Sequence, residues 1–363
     1  MSSEPVIAQK PASPRDSSKL LVYNTQTDQI IIDRFYHLDQ YLPKNSFLVL
    51  NKTKVIPSRI WLSKKTGGKL RVLFLLNEKT EKENLINILV DRRVNVGDKL
   101  FFNEKDYVEV INQEEKYFTV KILFSKDKLL TLLNKNGQMP IPPYIKNTPL
   151  KESDLRKKYQ TIFAEENGSI AAPTASLHFT KRVFNKLEQK GINRLYLTLH
   201  VGLGTFAPVT ENNLKMKTLH KEYYEISKKT LQCINKLKQN KTKLVAIGTT
   251  VVRALESIKN LEFRVQNFKL NSEPRILNSK TNSEFSILNS KFRSTNLFIL
   301  PPYDFKIVDC LITNFHLPGS SLLLLVDAFL QFKKAKRSLS EIYEFAMKEN
   351  FRFYSFGDVM LIL

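Results

Sequence analysis

Apolar positions along this chain follow two textures, and the change between them divides it. Residues 19–23, 30–34 and 46–51 read as strands, with a short helix ending near residue 42 before the third. From about 60 to 124 the apolar runs become short and alternating, at 70–76, 85–90, 99–103, 107–112 and 117–124. Turn residues such as Gly67-Gly68 and Val96-Gly97-Asp98 separate them, the pattern of a small antiparallel sheet or barrel. The run Gly137-Gln-Met-Pro-Ile-Pro-Pro-Tyr144-Ile145 excludes helix through its prolines and predicts an extended, rigid connector. Beyond it the longer periods return. Helices are expected at 181–190, 227–240 (Leu231, Ile234 and Leu237 on one face), 322–329 and 340–349, and a buried strand at 244–247 runs through Gly248-Thr-Thr250 into another helix. The fold class predicted is an α/β main domain with an inserted small antiparallel β-barrel domain: residues 1–60 and 144–363 form the discontinuous main domain and 61–143 the insertion.

Two further stretches stand apart. Residues 1–18 read as an extended arm with too little apolar content to pack by itself, in which Arg15 and Asp16 are expected to pair locally. Residues 261–293 are rich in Asn, Ser and Lys and repeat Ile-Leu-Asn-Ser-Lys at Ile276 and Ile287, so a low-complexity, largely disordered insertion is expected there, with the fold resuming at Leu297.

Composition narrows the function. At 363 residues and 42% hydrophobic content a sizeable core is available, no run approaches the roughly 20 apolar residues of a membrane span, and no secretory start is present, so a cytoplasmic protein is expected. Cys233 and Cys310 are too isolated for a disulfide framework or a zinc site and are expected as buried thiols; no metal is expected. The net charge of +22, from 57 Lys+Arg against 35 Asp+Glu, favours a polyanionic partner, with nucleic acid the natural candidate.

The chemistry concentrates where small residues cluster. Ala171-Ala-Pro173-Thr174-Ala leads to His178, and His200 is followed by Gly202 and Gly204, both settings that let a ligand approach the backbone. Four of five histidines, His178, His200, His220 and His316, lie in such loop-like surroundings, with Glu222, Glu256 or Asp358 available to orient them or act as base. Tyr159 and Gln160 are candidates to face a ligand. Asn51, Lys54 and Arg59 follow a buried strand, where α/β folds place ligands. Serine hydrolase, zincin and P-loop patterns are missing. Gly202-Leu-Gly204-Thr-Phe-Ala207 fits a relaxed dinucleotide fingerprint, but polar residues 210–213 replace the helix that should hold a pyrophosphate.

Several motifs occur together and in order: Pro142-Pro-Tyr-Ile145, Tyr159-Gln-Thr161, Gly168-Ser-Ile-Ala-Ala-Pro-Thr-Ala-Ser-Leu-His-Phe-Thr180, Thr198-Leu-His-Val-Gly-Leu-Gly-Thr-Phe206, Gly248-Thr-Thr250, Thr313-Asn-Phe-His-Leu-Pro318 and Arg352-Phe-Tyr-Ser-Phe-Gly-Asp358. This set closely resembles the S-adenosylmethionine:tRNA ribosyltransferase-isomerase family of queuosine biosynthesis. The sequence departs from the family pattern at Lys54, Ser176, Lys217, Leu219 and Ser321. The resemblance implies transfer and isomerisation of the ribosyl part of S-adenosylmethionine onto the aminomethyl group of a 7-deazaguanine at the tRNA wobble position. Epoxyqueuosine forms, and adenine and methionine leave.

It implies no permanently bound cofactor, S-adenosylmethionine as co-substrate, tRNA as partner, and a monomer. His178, His200, His220, Glu222, His316 and Asp358 are then the candidates for proton transfer or adenine contact. Pro173, Thr174, Gly202, Gly204, Thr205, Phe206, Gly248, Thr249, Thr250, Arg253 and Asn314 are expected to shape the nucleoside pocket, and Asn51, Lys54 and Arg59 to meet tRNA phosphate. Two other readings stay open: a decayed homologue that binds tRNA without turnover, and a nucleotide-binding α/β enzyme with another substrate. Turnover separates them.

Overall fold

In the strand Ser46–Asn51, Leu48 and Leu50 face one side and Phe47 and Val49 the other, and all four are buried. That is why the run reads as continuously apolar: a parallel strand covered on both faces has no polar side to show. The computed structural model describes residues 4–78, 80, 82, 84–202, 209–258 and 292–363. Gly204, Thr205, Phe206 and the 261–291 part of the expected insertion lie outside the described residues.

Ser46–Asn51 pairs in parallel with Asn193–His200 and Lys243–Ile247, and the latter with Cys310–Asn314. These four form the middle of a nine-stranded sheet. One flank adds the antiparallel strands Thr218–Glu225 and Arg293–Leu297. The other adds Val359–Ile362, Lys19–Asn24 and Gln29–Arg34. On one face the helix Lys181–Gln189, capped by the Thr180 hydroxyl, buries Val183, Phe184 and Leu187 against Leu48 and Ile247. On the other, Thr249–Glu256, Ser321–Phe332 and Leu339–Lys348 cover Phe47, Val49 and Leu311. At roughly 1.5–3 kcal/mol for each large apolar side chain removed from water, these two layers dominate stability. Among the described residues no helix is long and apolar enough to cross a membrane.

The second unit is a closed barrel in the order Tyr107–Glu114, Tyr117–Ile122, Leu85–Val90, Lys69–Phe74, Arg59–Lys64, Lys99–Phe101. Inward positions such as Ile60, Leu62, Leu70 and Val72 alternate with outward Trp61, Lys69 and Arg71. The molecule is thus an α/β main domain carrying an inserted antiparallel barrel. A helix not anticipated from the sequence, Lys126–Asn136, packs Leu129, Leu130 and Leu133 onto the barrel and is capped by Ser125. The chain then returns at Gly137, where a Cβ would sit 1.9 Å from the Pro57 carbonyl oxygen, so only glycine fits.

Three expectations need correction. The N-terminal arm is held by polar bonds as well as by the buried Ala8: Asp16 is buried and accepts from Thr180 and Arg182, while Arg15 donates to the carbonyls of Gln160 and Lys157, so the two do not pair with each other. The fold is in place before Leu297, since Phe292 is buried and Arg293 opens a strand. A short helix, Glu211–Met216, does follow the Gly202-Leu-Gly204 sequence, beginning with a Thr210 capping box. Cys310 is buried as expected, Cys233 only partly.

Candidate functional site

The parallel strands end on one side of the sheet, and the turns that follow them enclose a cleft, the usual position for a ligand in an open α/β sheet. Its walls come from Ala172-Pro173-Thr174-Ala175, Val201, Gly248-Thr249-Thr250 and Thr313-Asn314-Phe315-His316. Tyr144, Tyr354 and Ser355 close it from outside the sheet. Gly248 has φ +91°, a left-handed conformation that a side chain resists, and it turns the strand sharply into the helix Thr249–Glu256. That puts the Thr249 and Thr250 hydroxyls and the helix N-terminus at the cleft. Of the expected pocket residues, Pro173, Thr174, Gly248, Thr249, Thr250 and Asn314 are gathered here, and of the expected proton carriers only His316.

Asn314 closes its strand with its amide split between two environments. Nδ2 donates to the Asp358 carbonyl at 3.3 Å, while Oδ1 is buried and has no partner among the described residues. An acceptor left this way costs about 1–3 kcal/mol, which an N–H donor on a ligand would recover. His316 shares a 2.7 Å hydrogen bond between Nε2 and Thr313 Oγ1, and its backbone N–H donates to Tyr343. Burial pushes its imidazole down to about 3, so the ring is neutral near pH 7. Among the described residues, no Asp, Glu, Lys or Arg lines the cleft. Sequence reasoning passed over Tyr144 and Ser355, whose hydroxyls meet at 2.6 Å, although both lie in motifs it singled out; the rigid Pro142-Pro143 pair just before Tyr144 was the available signal.

The remaining candidates lie elsewhere. His178 ends the turn Thr174–His178 but points away from the cleft, with Nδ1 at 2.7 Å from Ser18 Oγ and its ring beside Phe35. His200 is fully buried, Nδ1 at 2.9 Å from Thr53 Oγ1 and its ring 5.1 Å from that of Phe292. Burial lowers both imidazoles to about 4. Asp358 is buried in an ion pair with Arg352 and also accepts from the backbone of Lys19 and Arg352, so it fastens two segments together. Glu222 and Arg253 form a buried ion pair at 2.5 Å, and Glu222 accepts from the Gly202 N–H.

Asn51, expected at a phosphate, is buried. Its Oδ1 accepts from Leu199 and Thr53 and its Nδ2 donates to Leu199, which locks two parallel strands and leaves nothing for RNA. Tyr159 and Gln160 are not among the residues lining the cleft: Tyr159 is buried, and Gln160 bonds both backbone groups of Val55. His220 and Lys54 are exposed on strands, and Arg59 donates to the Ile141 carbonyl where barrel meets connector.

Residues 2–362 match the family described as queuosine biosynthesis protein. The chain is 41% identical to the S-adenosylmethionine:tRNA ribosyltransferase-isomerase of Sulfurihydrogenibium sp. over 99% of its own length and 96% of the relative's. It is 40% identical to the enzyme of that name from Cytophaga hutchinsonii at the same coverage. The crystal structure of S-adenosylmethionine tRNA ribosyltransferase from Thermotoga maritima superposes with a TM-score of 0.50 at 28% identity, covering 100% of this chain and 99% of that one. This chain belongs to the queuosine biosynthesis protein family.

Proposed function

We propose that this chain is an S-adenosylmethionine:tRNA ribosyltransferase-isomerase that moves the ribosyl group of S-adenosylmethionine onto a 7-aminomethyl-7-deazaguanine in tRNA, with the co-substrate in the cleft at the strand ends. The observation that carries this placement is that, among the described residues, the buried acceptor Asn314 Oδ1 has no partner and shares an uncharged wall with a neutral His316. S-adenosylmethionine presents N–H donors and a fixed positive sulfonium. Oxygen dipoles from Asn314, Thr249 and Thr250 and the faces of Tyr144 and Phe315 suit a cation that carries no exchangeable proton of its own.

The sulfonium acidifies the adjacent C5′ proton, so removing that proton begins the sequence, and the aminomethyl group must be neutral to attack. His316 is the histidine of the cleft wall. With Nε2 on Thr313, Nδ1 is the ring nitrogen left to exchange a proton with substrate, and a neutral ring adds no second positive charge beside the sulfonium. His178, His200, Glu222 and Asp358 are positioning residues in this reading: they hold the arm, the strands and the turns that carry the cleft.

The test is turnover with tRNA bearing the aminomethyl base. Adenine should be released in proportion to modified tRNA, and His316→Gln should lower kcat by about 100-fold or more at unchanged melting temperature. Adenine release without tRNA modification would defeat the transferase reading. Wild-type turnover in His316→Gln would remove that residue from the chemistry.

A further inference from the structure

The chain contains one tryptophan, Trp61, and the fold leaves it 47% exposed on the outside of the barrel. A large aromatic ring at an outward strand position forfeits burial that the barrel interior would give it, so its surroundings bear on what it meets. Trp61 lies in register opposite Arg71 on the neighbouring strand, with the guanidinium carbon 6.0 Å from the ring centroid. The hairpin that carries both, residues 59–74, holds five cations, Arg59, Lys64, Lys65, Lys69 and Arg71, and no carboxylate. Arg92 and Arg93 follow in an exposed turn beside it, and Asp91, paired with Arg71 at 3.8 Å, offsets only part of this charge.

Beside Arg71, a shallow groove is lined by the apolar Leu73 and Leu89, by the cations Arg59 and Arg71, and by the single carboxylate Asp91. Arg59 is held below its ordinary value by burial and by the charge of Arg71, as expected where cations gather without enough counter-charge. A flat aromatic ring, an apolar groove and surrounding guanidinium groups are the parts from which barrels build sequence-tolerant platforms for single-stranded nucleic acid, the ring stacking a base and the cations following the phosphates.

We infer that the outer face of the barrel around Trp61 is an RNA-docking surface, on which an unpaired base of the tRNA substrate stacks on the indole while Arg59, Lys69, Arg71, Arg92 and Arg93 hold the flanking phosphates. This rests on the tRNA reading given above. The surface is continuous with the cleft along the chain: Arg59 bonds the carbonyl of Ile141, three residues before the cleft residue Tyr144. An RNA gripped on the barrel is thereby tethered to the connector that enters the catalytic wall.

The lone tryptophan makes the test direct, because all indole fluorescence reports on this one position. Titrating tRNA into the intact enzyme should quench that emission, saturating at the concentration where binding saturates by an independent measure. Trp61→Ala should raise the tRNA Kd by roughly 5- to 100-fold and leave the KM for S-adenosylmethionine unchanged. Trp61→Phe, which keeps a ring to stack on, should recover most of the loss, and an unchanged melting temperature in both variants separates docking from folding. Arg71→Ala should weaken tRNA binding and flatten its salt dependence. Emission that does not change at saturating tRNA while turnover proceeds, or an unaltered Kd in Trp61→Ala, overturns the docking surface and leaves the function standing. Failure of the enzyme to bind tRNA at all overturns both.

Discussion

The wall of the cleft and the outer face of the barrel treat charge in opposite ways. At the cleft the sequence supplies hydroxyls, an amide and a neutral imidazole, and the nearby charges are neutralised inside the protein, as in the Glu222–Arg253 pair whose side chains are 3% and 5% exposed. On the barrel the cations stay in water: Lys64 and Asp98 are 28% and 31% exposed, Arg71 and Asp91 48% and 32%. A compact co-substrate with a fixed positive sulfonium is best met by oriented dipoles in a dry pocket, where they need no reorganisation. A polyanion is best met by exposed cations, which lose little hydration until it arrives and draw it in over several ångströms. One chain therefore carries two kinds of electrostatics, one at the cleft and one on the barrel face.

The largest effect expected from this contrast is at the buried pair. Arg253→Met should destabilise the fold by about 3–5 kcal/mol, because Glu222 is left charged and buried with its main partner gone. The denaturant midpoint should drop accordingly, and the turn at Gly202, which bonds Glu222, should lose protection from hydrogen exchange. By contrast, Arg71→Ala should change stability by no more than about 1 kcal/mol. Equal losses in the two variants would break the distinction between a buried and a solvated network.

A second expectation concerns pH, and it separates the domains because residues 61–143 contain no histidine. His178 and His200 are held down at about 4 by burial, whereas in the unfolded chain their imidazoles titrate near the ordinary value of about 6.5. Between those values the unfolded state binds more protons. The contribution is thus fully present above about pH 6.5 and is lost as pH falls from there towards 4, on the order of 2 kcal/mol for each histidine by about pH 5. Urea denaturation at pH 7 and pH 5 should show this slope, and His178→Asn should flatten it. Stability that stays level over that interval would mean that these rings are not buried neutral.

The sequence made the scaffold of the cleft readable and left most of its partnerships hidden. Residues 46–51, 244–250 and 313–318 announce themselves, because a strand buried on both faces must be apolar throughout and the turn at its end must carry small or hydroxyl residues. His178 and His200 sit in the same local setting as His316, yet their partners are Ser18 and Thr53, 160 and 147 residues away. A histidine satisfied by a distant hydroxyl and one facing a ligand have indistinguishable neighbours in sequence. Asn51 is a similar case: short, polar and just past a strand, it suits a phosphate contact, but its amide is consumed by the adjacent strand. The helix Lys126–Asn136 is different, since Ser125 followed by Leu129, Leu130 and Leu133 was a legible cap and stripe. Tyr144 enters the cleft from the end of the inserted segment, a placement that only the closed barrel and its returning connector determine.

The smallest effect sharpens the comparison from the barrel side. Lys64 Nζ lies 3.2 Å from Asp98 and also donates to the Arg93 carbonyl, with both side chains near one-third exposed. The Asp98 carboxyl is held below its ordinary value, first by the backbone N–H of Asn95 and then by Lys64, so the largest single stabilising contact survives loss of the lysine. A double-mutant cycle with Lys64→Met and Asp98→Asn should therefore give a coupling energy of about 0.2–1 kcal/mol that declines as salt is raised. The direction follows from solvation: each charge keeps much of its water, so bringing the pair together gains little, and holding a long lysine side chain in one geometry offsets part of that gain. A coupling above about 2 kcal/mol that is insensitive to salt would put this pair in the same class as Glu222–Arg253. The barrel face would then have to be read as a rigid ionic lattice, poorly suited to releasing its cations to an incoming RNA backbone.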